Sequence, residues 1–143
     1  MFYRKLISFF LLLFNSTVLF AADNNIDQTI KINIKINNRV FEAELLNNPT
    51  SKIFLELLPL TLDMKDLNSN EKYHYLDEKL PVKIEKFNVI NTGDIMVYGD
   101  NCLVLFYKSF KTTYQYTKIG RITNTDKLLD VIGSDTIQVT FYK

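Results

Sequence analysis

The sequence is poor in the residues that most often carry chemistry. Its 143 residues include one cysteine, Cys102, one histidine, His74, and no tryptophan. A lone cysteine cannot close an intramolecular disulfide, so the fold must rest on its hydrophobic core. A lone histidine excludes a His-based metal cluster, and a Ser-His-Asp triad would need a serine that nothing marks. Four glycines and three prolines exclude collagenous, low-complexity and linker-rich architectures. No block of like charges occurs and the formal net charge is +1, so the electrostatic footprint of a nucleic-acid binder is missing. The apolar runs are also shorter than the roughly 18 residues that a membrane span needs.

What is present describes one globular domain rich in β-structure. Hydrophobic residues make up 47% of the chain and aromatic residues 13%, all of them phenylalanine or tyrosine. A chain of this length can bury a real core, and nothing suggests a second domain.

The first 22 residues read as a secretory signal peptide. Arg4 and Lys5 precede the apolar run Leu6 to Phe14, Asn15-Ser16-Thr17 interrupts it, and Val18-Leu19-Phe20 leads into Ala21-Ala22. Export to the periplasm or the exterior is therefore expected, with no membrane association after cleavage. No cysteine follows the apolar region, which argues against a lipoprotein. Loss of Arg4 and Lys5 takes the formal net charge from +1 to −1. Residues 23–29 form a short lead-in, and 30–143 the globular domain.

That domain opens with a hairpin. Ile30, Ile32, Ile34 and Ile36 alternate with polar residues, Asn37-Asn38 supplies a turn that tolerates positive φ, and Val40 to Leu45 returns. Asn47-Asn48-Pro49 then predicts a helix start, with Ile53, Phe54, Leu57 and Leu58 on one face until Pro59 stops it. A strand resumes over Leu60, Leu62 and Met64. Asp66 to Glu71 is expected as a loop, Lys72 to Leu76 as a strand, and Asp77 to Asn88 as an excursion that dips into the core through Val82, Ile84 and Phe87. Two apolar runs follow Gly93-Asp94 and Gly99-Asp100, which are turn signals and not phosphate cradles, and a third ends in Gly120-Arg121-Ile122. Thr125-Asp126 is expected to cap a second short helix that ends at Gly133, before a last alternating strand over Ile137, Val139 and Phe141. Together these elements predict a mainly β fold, a closed barrel of about eight antiparallel strands with two short helices.

This order resembles a reduced cyclophilin. Leu-Pro-Leu-Thr-Leu-Asp-Met at 58–64, Gly93-Asp94-Ile95-Met96 and Tyr98-Gly99-Asp100-Asn101 are similar to the bacterial cyclophilin-like domain family, small exported or flavodoxin-associated proteins. The resemblance implies a cyclophilin-like β-barrel, and it raises prolyl isomerisation as an activity. That reaction needs an apolar pocket for the ring and an arginine that donates to the prolyl nitrogen. The cyclophilin Phe-His-Arg segment aligns best with Tyr73-His74-Tyr75, which places Tyr75 where the arginine belongs, and the pocket phenylalanine falls within Leu103 to Phe106, where the resemblance implies Phe106. Beyond the leader, the arginines are Arg39 and Arg121, both in predicted strands.

No catalytic set, metal site or cofactor is therefore expected. Cys102 reads as a small core residue, His74 as a hydrogen-bonded or exposed strand residue, and Asp63, Asp66, Glu71, Asp77 and Glu78 as a solvated rim. The aromatic residues from Tyr73 to Tyr116 are more numerous than one small core requires. Either some line a cleft or they cover strand faces. On the first reading Tyr73, Tyr75, Tyr98, Phe106 and Tyr116 form a site for a peptide or small-molecule ligand, in a domain without isomerase activity. The alternatives are a divergent prolyl isomerase acting on exported proteins, and an accessory domain that docks on a redox partner protein.

Overall fold

The computed structural model describes residues 28–143, so the leader expected over 1–22 and most of the lead-in lie outside the described residues. The hairpin forms as expected from β1 (Ile30–Ile36) and β2 (Arg39–Leu45), with Asn37 at φ 53° in the turn. Helix α1 (Pro49–Glu56) follows. The Asn48 side chain accepts from the Ser51 amide at 2.8 Å, and proline occupies the first turn where its missing N–H costs nothing.

Beyond α1 come β3 (Leu60–Leu67), β4 (Glu71–Tyr75), the short β5 (Glu85–Lys86) and β6 (Val89–Ile90), then β7 (Asp94–Tyr98), β8 (Cys102–Phe106), β9 (Phe110–Lys111) and β10 (Gln115–Ile122). Helix α2 (Leu128–Ile132) and β11 (Ile137–Tyr142) complete the chain. Strands pair in the order β2-β1-β11-β3-β4-β8-β7-β10, and β10 pairs again with β2. Among the described residues this closes an eight-stranded antiparallel barrel, the mainly β fold with two helices that the sequence predicts. Strand β5 hangs on the end of β10, and β6 and β9 form a separate ribbon.

The barrel interior holds the larger core. Ile32, Ile34 and Ile36 of β1 meet Phe41, Ala43 and Leu45 of β2, Val139 and Phe141 of β11, and Leu103 and Leu105 of β8. Phe54 of α1 is fully buried and packs edge-on against Phe141, ring centroids 5.5 Å apart. The helix thereby adds to the barrel core through Phe54, while Ile53, Leu57 and Leu58 stay half-buried.

Gly120 makes closure possible. Past a register shift between Lys118 and Gly120, β10 pairs with β7 on one side and β2 on the other, with Gly120 opposite both Ile95 and Leu45. A Cβ there would collide with the Glu44 carbonyl oxygen and press on the Leu45 side chain. Since the obstacle is backbone, Gly120→Ala is expected to lower stability by about 2–3 kcal/mol in urea titration. A loss below about 0.5 kcal/mol would show that closure does not depend on this contact.

Three local expectations are corrected. Asp66–Glu71 is not a loop: β3 runs to Leu67, Asn68 and Ser69 turn with φ 53° and 55°, and β4 starts at Glu71. In the 77–88 excursion Val82 and Ile84 are exposed and Phe87 is half-buried, while Leu76 and Leu80 enter the core. Leu80 is anchored there by its amide, which donates to the Asp100 carbonyl at 2.7 Å. Helix α2 has no side-chain cap; Asn124 instead accepts from the Asp126 amide, and Lys127 takes φ 69° at the helix start. Gly133 does end α2, with φ 58°.

Candidate functional site

Strands β7 and β8 carry apolar residues on both faces, which is why they read as continuous apolar runs. Their inward residues Ile95, Val97, Leu103 and Leu105 join the barrel core. Their outward residues Met96, Cys102, Val104 and Phe106, with Tyr116 of β10 and Ile90 of β6, form a second buried cluster that Tyr73, Phe87 and Phe110 flank. The β6–β9 ribbon covers one end of this outer face. At the other end the face is open, and a cavity of about 420 Å³ lies there, lined by Leu67, Asn68, Glu71, Tyr73, Tyr75, Tyr98, Cys102, Val104, Tyr114 and Tyr116.

The trough follows from residue size along the sheet. Cys102 and Val104 on β8 are small and make its floor. Tyr73 and Tyr75 stand on β4 to one side, ring centroids 6.0 Å apart and nearly perpendicular. Tyr98 stands on β7 to the other, 5.7 Å from Tyr116 and 6.2 Å from Tyr114. Two strand spacings separate β4 from β7, roughly 9–10 Å, so the two groups of rings face each other across a gap. Tyr75, Tyr98 and Tyr114 are exposed and form the rim, while Tyr116 is buried with its ring against Phe106.

Four of the five residues expected to bind ligand, Tyr73, Tyr75, Tyr98 and Tyr116, thus share one cavity. Phe106 does not line it. It is fully buried beneath Tyr116 and Phe110, whose rings lie 5.4 and 5.6 Å away, so it supports the site from below. His74 hydrogen-bonds the Asp63 carbonyl through Nδ1 at 2.8 Å, a strand residue as expected. Cys102 is buried, and burial together with the Glu71 charge pushes its thiol up to about 11, against a lowering by Tyr75. It stays protonated and is no nucleophile.

Glu71 is the residue that the sequence misplaces. It was expected on a solvated rim, yet it is buried in the outer face opposite Phe106, where the tight Asn68-Ser69 turn directs it. Its carboxyl makes no hydrogen bond or ion pair among the described residues. Burial first, and the nearby Asp66 charge second, raise it from 4.5 to about 7. The Asn68-Ser69-Asn70 run after the period-two pattern of β3 was the available signal, because asparagine there favours a tight hairpin over a loop.

A raised carboxyl makes stability fall with pH. The folded protein holds a proton that the unfolded chain has already released, so stability is full below pH 4.5 and declines until about pH 7. Because the cavity admits solvent to part of the group, the expected decline is about 1–2 kcal/mol. Glu71→Gln should remove it. Denaturant titrations at pH 4.5 and 8 check this, and an unchanged slope in the variant would assign the decline elsewhere.

The sequence over residues 34–142 matches the model of the Cyclophilin-like family. The fold is similar to the solution structure of a hypothetical protein from Archaeoglobus fulgidus, with a TM-score of 0.60 at 18% identity, covering 83% of this chain and 98% of that one. A search of curated proteins finds no match. With the family model spanning most of its length, the chain belongs to the Cyclophilin-like family.

Proposed function

We propose that this member of the Cyclophilin-like family is an exported binding domain that takes a peptide or small organic ligand into the tyrosine cavity and does not isomerise prolyl bonds. The observation that carries the reading is the cavity itself: five tyrosines around a floor of Cys102 and Val104, with a single carboxylate and no arginine in its lining. Tyrosine suits such a surface, since its ring offers apolar contact while its hydroxyl stays wet. Cavities of this size and concavity are where small ligands bind.

A divergent prolyl isomerase is the reading that the fold by itself would favour. It would require a guanidinium at the cavity, and Arg121 sits on β10 roughly 16 Å along the strand from Tyr116, exposed and facing β2 and β7 neighbours. Arg39 lies in the β1–β2 turn region, paired with Ile36. Docking on a redox partner draws no support from Cys102, whose thiol is buried and protonated.

Export rests on the leader over 1–22, and mass spectrometry of the exported protein should find a chain starting near Asp23; an intact Met1 would refute it. Binding is tested by amide NMR with a set of short peptides and small organic molecules. Shift changes are expected to gather on Tyr73, Tyr75, Tyr98, Tyr114 and Tyr116, and Tyr98→Ala should weaken binding about tenfold. Changes gathered instead in the groove between α1 and Pro81–Glu85 would overturn the assignment of the site.

A further inference from the structure

The lining of the tyrosine cavity is one-sided in charge. None of its ten residues is basic, and Glu71 is its one acid. That acid has no hydrogen-bonding or ionic partner among the described residues, so the fold supplies no counterion for its charged form, and its carboxyl opens to the cavity. The nearby ammonium of Lys72 lies on the opposite face of β4 and is bound to Asp66. Around the same space stand aromatic rings from β4, β7 and β10 that meet edge to face or tilted, never in parallel stacks. An aromatic ring attracts a cation over its negative face, so a cation lodged among five tyrosines is drawn by the ring quadrupoles as well as by the carboxylate. A neutral apolar occupant would gain from the rings but leave Glu71 buried and unpaired.

We propose that the occupant of the tyrosine cavity is an organic cation, an alkylammonium or quaternary ammonium group held between the tyrosine rings and paired with Glu71. This rests on the cavity being the ligand site, and it names the chemical class that the site selects. The ammonium group sits over Cys102 and Val104, with Tyr73 and Tyr75 on one side and Tyr98, Tyr114 and Tyr116 on the other. Its arrival supplies the partner that Glu71 lacks, so ligand binding expels the proton from the carboxyl and strengthens as pH rises through about 7.

The charged and titratable groups around Glu71 come from every neighbouring element. Asp66 approaches from β3, Tyr73 and Tyr75 share β4, Cys102 comes from β8, Tyr98 from β7, Tyr116 from β10 and Tyr114 from the segment just before it. Tyr107, beyond β8, is flanked by Lys72 and Lys108. Asp66 is held below its ordinary range and Cys102, Tyr107 and Tyr116 are pushed well above neutrality, so none of these four competes with Glu71 for a transition near pH 7.

The test is an NMR titration of the full mature protein with choline and with its neutral carbon isostere dimethylbutanol, at pH 8 and at pH 5.5. Choline is expected to shift the Tyr98 and Tyr116 resonances and to bind at least about tenfold more tightly than the isostere. Glu71→Gln should remove most of that difference, and lowering the pH should do the same in the unmodified protein. Tyr98→Ala, at an exposed rim position where folding is not at risk, should weaken choline binding independently. A parallel titration with acetylated trimethyllysine amide separates the sources of the cation: tighter binding than choline assigns a protein side chain, weaker binding a free small molecule. Equal affinity for choline and isostere, or choline binding that Glu71→Gln leaves unchanged, overturns the cation while leaving the binding cavity intact. Absence of binding by choline and trimethyllysine alike also overturns it. The broader reading of the cavity fails only if the peptide and small-molecule set gives no shifts there either.

Discussion

Lys72→Met is expected to lower stability by about 2–4 kcal/mol, the largest effect of any single substitution considered. Lys72 points into the barrel from β4 and is fully buried. Its ammonium lies 3.0 Å from the Asp66 carboxylate, donates to the Asp135 carbonyl at 2.6 Å and sits over the Tyr107 ring, 5.5 Å from the centroid. The Tyr107 hydroxyl donates to the same carboxylate oxygen at 2.5 Å, and the Ser69 amide to the other oxygen at 3.2 Å. Removing the lysine leaves Asp66 facing the barrel end without its counterion, a change that typically costs about 3–5 kcal/mol when both partners are fully buried. Asp66 keeps 17% side-chain exposure, which lowers the figure.

The same cluster has a pH signature. Burial raises the Asp66 carboxyl, but hydrogen bonds from Tyr107 and Lys72 and the Lys72 charge outweigh it, so the group ends below its ordinary 3.8. Its stabilising contribution is therefore present above about pH 4 and is lost as the pH falls further. Urea titrations of Lys72→Met, Asp66→Asn and the double variant check the account. The double variant should lose clearly less than the two single losses combined. A Lys72→Met loss under about 1 kcal/mol would mean that the pair is not coupled.

The legibility of the fold and of the site differ for a physical reason. Period-two alternation in β1, β3 and β11 reports a dry face and a wet face, and turn residues such as Asn37 and the capping Asn48 mark the ends, so the barrel could be written from the sequence. Alternation says which residues share a face but not what covers that face. In β8 every residue is buried, Leu103 and Leu105 in the barrel and Cys102, Val104 and Phe106 under the outer cluster. The excess of tyrosines allowed either a cleft or covered strand faces, and four of the residues named for a cleft line one cavity. Phe106 fell outside because the ribbon of β6 and β9, each only two residues long, folds Phe110 over it. Lys72 and Glu71 were illegible for the complementary reason: two adjacent charged residues in an acidic stretch look like a solvated edge, and only the register of β4 against β3 and β8 buries one on each face.

Prolyl isomerisation by this domain is expected to be weak or undetectable. Rotation about an X-Pro bond meets a barrier of roughly 18–20 kcal/mol set by amide resonance, and a cyclophilin lowers it by aiming a fixed cationic donor at the prolyl nitrogen. Here the aligned position is Tyr75, a phenol on an exposed strand end, and no arginine lines the cavity. Losing one preorganised donor typically costs 10² to 10³ in rate, about 3–4 kcal/mol, even where a pocket survives. The buried Phe106 removes the apolar seat for the ring as well. The most direct measurement is exchange NMR on an Ala-Pro peptide mixed with the purified protein. The account predicts that the peptide keeps an interconversion time on the order of tens to hundreds of seconds. Interconversion accelerated to under about a second, and restored to the slow rate by Arg121→Ala, would contradict it.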